Sequence, residues 1–126
     1  MHLGKNKILI TGATGFLGYE IFKNLSKQYY VVPTSRKRKK NFENLDYSQK
    51  KIKSYIFKNV DTIIHLASLD RDEVKKNYKK AKEINFDFTK ELINLSILNG
   101  VKNFIYISSI SVYGENLSKN VNENIK

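Results

Sequence analysis

The sequence predicts an α/β fold built on a parallel sheet, and three observations predict it. Apolar runs of strand length alternate with stretches of helical periodicity along the 126 residues. One run, residues 61–66 (DTIIHL), carries Ile63, Ile64 and Leu66 without polar–apolar alternation, as expected of a strand covered on both faces. The first strand-like run passes into the first helical pattern through three glycines spaced three apart, Gly12, Gly15 and Gly18. Alternation of this kind joins parallel strands by right-handed crossovers.

The elements follow in order. Residues 7–11 form strand one. The bend TGATGFLG spans residues 11–18, and residues 16–28 make a helix with Leu17, Ile21 and Leu25 on one face. Residues 29–34 are strand two; Pro33 marks its end, because proline brings no N–H to a ladder. Residues 35–44 read as a polar, basic loop, and residues 47–57 as a short helix with Ile52, Tyr55 and Ile56 turned inward. Residues 61–66 are strand three. Residues 70–99 form the longest helix, its stripe running through Val74, Tyr78, Ala81, Ile84, Phe88, Leu92 and Leu95. Asn99 and Gly100 stop it, and residues 104–108 (FIYIS) are strand four. The expected strand order is 3-2-1-4, with the first two helices on one face and the long helix on the other. A ligand belongs at the carboxyl ends of strands one and four, where the order reverses. Residues 1–115 are expected to fold as one unit, truncated after the fourth strand. Residues 116–126 read as a polar tail.

Composition narrows the function. There is no cysteine, and the two histidines, His2 and His65, form no ligand pairing, so no metal site is expected. No stretch reaches the roughly 18 apolar residues of a membrane span. The N-terminal apolar run is too short for a signal peptide, so a cytoplasmic location is expected. The formal net charge of +11 invites a nucleic-acid reading through residues 36–40. Arginine occurs only at 36, 38 and 71, however, and lysine, asparagine and isoleucine are abundant throughout. Basicity of that kind is compositional, and a nucleic-acid partner is not expected.

The chemistry centres on the glycine bend. A strand that turns sharply into a helix leaves unpaired N–H groups at the positive end of the helix dipole, where a pyrophosphate fits. Gly12 permits the turn, Gly15 admits the phosphates, and Gly18 lets helix and strand approach. The expected ligand is therefore a dinucleotide. An NAD-specific site carries an acid near the end of strand two, yet residues 31–42 contain none. The loop there begins Ser35-Arg36-Lys37-Arg38. Arg36 and Arg38 are suited to grip a 2′-phosphate in a two-point fork, so NADP is favoured over NAD.

Four motifs in order then carry a resemblance: TGATGFLG, DTIIHLAS at 61–68, Asn85 within the long helix, and VKNFIYISSISVYG at 101–114. Together they resemble the NAD-dependent epimerase/dehydratase family of extended short-chain dehydrogenases, whose members mostly act on nucleotide sugars. The resemblance implies a Rossmann-type sheet. It places Gly12, Thr14, Gly15, Phe16, Leu17 and Gly18 around the pyrophosphate, and Ser35, Arg36 and Arg38 near the ribose. It sets Asp46 on the adenine amine, with Tyr47 beside it where a small apolar residue is common. It lines the cofactor with Leu66, Ala67 and Ser68, supports the site with Asn85, and puts Ser108 beside the nicotinamide ribose. Ser109 matches the catalytic Ser/Thr that steers the substrate oxygen. For Asp46 an N-cap role is equally open, and His65 reads as a strand residue with a satisfied ring.

One family feature is missing. The acid–base pair, Tyr-x-x-x-Lys, is expected on the helix after Ser109. Such pairs occur at Tyr19/Lys23, Tyr47/Lys51 and Tyr78/Lys82, all before the serine strand, and none follows it. The expectation is a cofactor-binding half that is inactive alone and is prone to self-association or to complementation by a C-terminal chain. A non-catalytic dinucleotide-sensing module is the alternative, with a basic nucleic-acid binder behind it.

Overall fold

A computed structural model describes residues 6–47 and 52–113. Five parallel strands form one sheet: β1 (Lys7–Thr11), β2 (Tyr30–Ser35), β3 (Glu43–Asn44), β4 (Val60–His65) and β5 (Asn103–Tyr106). Their order is β3-β2-β1-β4-β5. Helix α1 (Phe16–Leu25) joins β1 to β2. Between β4 and β5 run α2 (Arg71–Lys76), α3 (Tyr78–Lys82), a π turn (Glu83–Asp87) and α4 (Phe88–Leu98). Single 3-10 turns occupy Ser54–Phe57 and Ile110–Tyr113.

The Rossmann-type sheet and the order 3-2-1-4 hold, but the third strand is a different segment. It is Glu43–Asn44, inside the stretch read as a loop, paired with Thr34 and Ser35 at the sheet edge. Two polar residues carry no apolar alternation, so no pattern announces them. The run DTIIHL is the fourth strand, and it pairs directly with β1 in register from Ile8 to Thr11. The reversal in strand order therefore lies between β1 and β4, not beside the FIYIS strand.

The faces change for the same reason. Ile8, Ile10 and Ile64 pack with Ile21, Phe22 and Leu25 of α1. Leu9 and Ile63 point the other way, onto Ile56, Phe57, Ile84, Phe88 and Leu92. The segment holding Ile56 thus shares a face with α4 rather than with α1. A right-handed crossover that steps back across β1 must pass over the opposite face from one stepping outward. Full burial of Phe57, Leu92 and Ile63 stabilises this second face by about 1.5–3 kcal/mol per residue.

Three further boundaries differ from expectation. Helix α1 ends at Leu25, where Ser26 Oγ donates back to the Phe22 carbonyl, and Leu17 is half exposed instead of facing the core. The long helix breaks at Asn77, whose backbone leaves the helical region (φ −151°, ψ 84°) and whose side chain accepts the Lys80 N–H to cap α3. The break turns Tyr78 out to solvent, at 74% exposure, although periodicity places it inward. Asp70 caps α2 by accepting the Asp72 and Glu73 amides at 3.0 and 2.9 Å, as Asp does at helix starts. Finally, within the expected helix at 47–57 the described residues form only the turn Ser54–Phe57; residues 48–51 and the expected tail at 116–126 lie outside the described residues. Among the described residues, no helix is long and apolar enough to cross a membrane.

Candidate cofactor site

Chain geometry builds the site around the exit of β1. Gly12 adopts φ +71°, a left-handed conformation that costs an L side chain energy. A Cβ there would also stand 2.8 Å from the Ala67 nitrogen and the Leu66 carbonyl carbon. The turn closes with the Gly15 N–H donating to the Gly12 carbonyl at 3.0 Å. A Cβ on Gly18 would lie 2.2 Å from that same carbonyl oxygen, so α1 reaches the strand only because none is there. No side chain caps the first turn of α1 at Gly15. Its leading amides therefore face open space at the positive end of the helix dipole.

That space is a cavity of about 420 Å³, within the range of small-molecule sites. Gly12, Gly15, Phe16, Leu17 and Gly18 form one wall. Leu66, Ala67, Ser68 and Asn85 form a second, and Ser108 and Ser109 a third. Phe16 is 94% exposed, so its ring does not plug the bend. Leu69, Tyr106, Ile107 and Val112 also line the cavity. Their position beside the matched motifs is the only sequence signal that marks them. None of these lining residues carries a formal charge, so within the cavity the helix N-terminus supplies the attraction for an anion.

Five predicted residues lie off the cavity wall, as does Thr14, which is exposed on the bend. Ser35 is buried at the end of β2. Tyr47 is buried as well, and its hydroxyl accepts the Gly12 N–H at 3.1 Å while its ring packs 4.6 Å from Phe88. Burial raises the Tyr47 pKa above the usual value, against the lowering effect of the Gly12 bond and of the Arg36 charge. Tyr47 thus props the bend from behind. The Arg36 carbonyl is held by Asn44 Nδ2 at 3.0 Å. Arg38 and Asp46 line a separate polar recess with Asn44, Lys53 and Tyr55. Arg36 and Arg38 therefore do not converge on one cavity.

Asn85 is committed to backbone. Its Oδ1 accepts the Leu69 N–H at 2.7 Å, and its Nδ2 donates to the Leu69 carbonyl at 3.2 Å. The π turn carries it, and such turns recur at functional sites. Ser109 Oγ accepts the Ser111 N–H and donates to Ser111 Oγ, both at 3.2 Å, in an exposed loop. His65 is fully buried, with both ring nitrogens in hydrogen bonds. Among the described residues, no three His, Cys, Asp or Glu side chains gather to hold a metal.

The model of the NAD dependent epimerase/dehydratase family matches residues 8–125. The chain belongs to that family. Curated relatives of this family member include UDP-glucose 4-epimerase of Vibrio cholerae, 33% identical over 118 residues, covering 86% of this chain and 36% of that enzyme. Among solved structures, L-threonine dehydrogenase from Clostridium difficile superposes with a TM-score of 0.80 at 34% identity, over 92% of this chain and 40% of the other. MoeE5 in complex with UDP-glucose and NAD superposes with a TM-score of 0.75 at 27% identity, over 86% and 38%. The epimerase/dehydratase chain thus spans well under half the length of these relatives. Its five-stranded sheet corresponds to the N-terminal, NAD-binding Rossmann portion of such structures. The open cradle at Gly12, Gly15 and Gly18 fits a dinucleotide diphosphate.

Proposed function

We propose that this chain is the cofactor-binding portion of an NAD(P)-dependent enzyme that works by hydride transfer on a nucleotide-sugar-type substrate. One observation carries the reading: the uncapped first turn of α1 opens into a cavity whose far walls are the loops after β4 and β5. When bound, the nicotinamide group supplies hydride exchange with a substrate carbon. The chain's own residues bind and orient. The amides of Phe16 and Leu17 hold diphosphate oxygens, Leu66, Ala67 and Ser68 line the body of the cofactor, and Ser108 borders the ribose. Ser109 Oγ offers its hydroxyl to the substrate oxygen once released from Ser111. Arg36 directly follows β2, and residues 31–42 contain no acid, which supports a preference for NADP over NAD.

Proton transfer needs a group whose pKa sits near the working pH. No Tyr-x-x-x-Lys follows Ser109 in these 126 residues. By itself, then, the chain binds dinucleotide without ordinary turnover. The open glycine cradle also supports a second reading, a dinucleotide-sensing module. Exposed Ile105, Tyr106 and Ile107 on and after the edge strand β5, with Ile97 and Leu98 at the end of α4, support self-association or a complementing chain.

Nuclear magnetic resonance of the labelled chain, titrated with NADP+ and NAD+, tests the reading. The expected result is saturable shifts of the Gly15, Phe16 and Leu17 amides, stronger with NADP+. Titration to millimolar cofactor with these amides unmoved would overturn it. Turnover of a nucleotide sugar by the chain alone at about 1 s⁻¹ or faster would overturn the inactivity.

A further inference from the structure

The hydroxyls around His65 determine its protonation. Thr89 Oγ1 donates to the Asn85 carbonyl at 3.0 Å. A hydroxyl has one proton, so at its 2.8 Å contact with His65 Nε2 Thr89 must accept. Nε2 therefore carries hydrogen. On the other side of the ring, Thr11 Oγ1 accepts the Ala67 N–H at 3.3 Å and lies 2.5 Å from His65 Nδ1. Its own proton is free to go to Nδ1, which must then be bare. Every group in the chain is satisfied by one assignment: Ala67 N–H to Thr11, Thr11 O–H to Nδ1, Nε2–H to Thr89, Thr89 O–H to the Asn85 carbonyl. Asn85 then clamps both backbone groups of Leu69. The series begins and ends on the loop that forms the second wall of the cavity.

We infer that His65 is a positioning residue, neutral and protonated on Nε2, that fixes the loop 66–69 against the glycine bend through this hydrogen-bond chain. The inference rests on the cofactor-site reading above for its functional meaning. The ring cannot trade partners cheaply. Phe88 from α4, with Phe104 and Tyr106 from β5, surrounds it at centroid distances of 5.6–6.0 Å. Tyr106 is the titratable side chain among these contacts. A second proton on His65 would turn Nδ1 into a donor facing Thr11. The Thr11 hydroxyl would then hold a proton with nowhere to go, and the tie to Ala67 would weaken.

The experiment compares the wild-type chain with Thr89→Val and Thr89→Ser. Long-range ¹⁵N spectra read the His65 tautomer, amide exchange reads Ala67 and Leu69, and NADP+ titration reads the site. Wild type should show the Nε2–H form at pH 7 and protected amides at both positions. Thr89→Val should populate the other tautomer, lose that protection and weaken NADP+ binding about five- to tenfold. Thr89→Ser should restore all three. A protonated ring or an Nδ1–H tautomer in wild type overturns the inference, as does a Thr89→Val chain that binds and exchanges like wild type. Should Thr89→Val not fold, the wild-type spectrum and Thr89→Ser decide. A wild-type chain with the Nε2–H tautomer and protected amides that binds neither NADP+ nor NAD+ would sink the cofactor reading while leaving the His65 chain standing.

Discussion

The carbonyl oxygen of Gly12 and the α-carbon of Gly18 are so close that a methyl group on Gly18 would sit 2.2 Å from that oxygen. The contact seats α1 on β1, and so aims the first turn of the helix at the cavity. Because both sides are backbone, neither can swing away. Gly18→Ala should therefore destabilise the fold by about 1–3 kcal/mol through forced displacement. Gly15→Ala places its methyl 3.4 Å from the same oxygen and should cost less, under about 1 kcal/mol. Thermal melts of the two variants check this; equal melting temperatures would refute the contact's importance.

Removing the Tyr47 hydroxyl isolates the prop behind the bend. Tyr47→Phe keeps the ring against Phe88 but leaves the Gly12 N–H without its acceptor. The expected loss is about 1–2 kcal/mol, with faster exchange of the Gly12 amide. Alkaline pH gives an independent reading. The folded-state pKa of Tyr47 is raised above its ordinary value of 10.0, chiefly by burial. Above pH 10 the unfolded chain loses this proton first, so stability falls as pH rises through that window. Chemical denaturation of Tyr47→Phe against pH should lack that component.

Acid should act through His65. Burial lowers its pKa from 6.5 to about 4. Between those values the unfolded state binds the extra proton and the folded state does not, so stability falls as pH drops from about 6.5 to about 4 and levels below. The full effect is on the order of 3 kcal/mol. Asp61 works in a lower window. Its carboxylate accepts the Lys7 N–H at 3.1 Å and pairs with Lys102 at 3.2 Å, and its pKa lies below the ordinary 3.8. Its contribution is present above that value and is lost as pH falls further. Denaturation midpoints from pH 7 to 4 should show the His65 step, and His65→Gln should flatten it.

Asn85→Asp tests the clamp on Leu69. An ionised carboxylate still accepts the Leu69 N–H but has no hydrogen for the Leu69 carbonyl. We expect a loss of about 1–3 kcal/mol at pH 7. The difference from wild type should shrink as the new carboxyl becomes protonated and regains a donor. Paired melts at pH 7 and pH 4.5 measure it; a gap that widens with acid would count against the two-point contact.

Cofactor choice should separate the two arginines. Arg36 directly follows the last residue of β2, whereas Arg38 lines a separate recess. Arg36→Ala is expected to weaken NADP+ binding about tenfold with little change for NAD+. Arg38→Ala should leave both nearly unchanged. Calorimetric titration of each variant with both cofactors provides the comparison.

The glycine spacing, the apolar runs and the serine-rich exit were legible because each has a local cause: a turn that excludes side chains, or a strand buried on both faces. Glu43–Asn44 was not legible, since two polar residues at a sheet edge show no apolar alternation; ladder bonds to β2 and the Asn44 amide on the Ser35 and Arg36 carbonyls hold them there. Nor was the break at Asn77, where a side-chain cap overrides a continuous apolar stripe and turns Tyr78 outward. Tyr47 reads from sequence as a cofactor neighbour; only packing on Phe88 makes it a support for Gly12.

By itself, the sequence determined the family, the parallel α/β architecture and the glycine bend, because these follow from residue spacing along one segment at a time. Tertiary structure decided which strand lies beside β1, which face each crossover covers, and how His65, Thr89 and Asn85 join the two ends of one loop. Those outcomes depend on residues tens of positions apart meeting in a dry interior, where each donor needs its acceptor. No local pattern records which partner that will be.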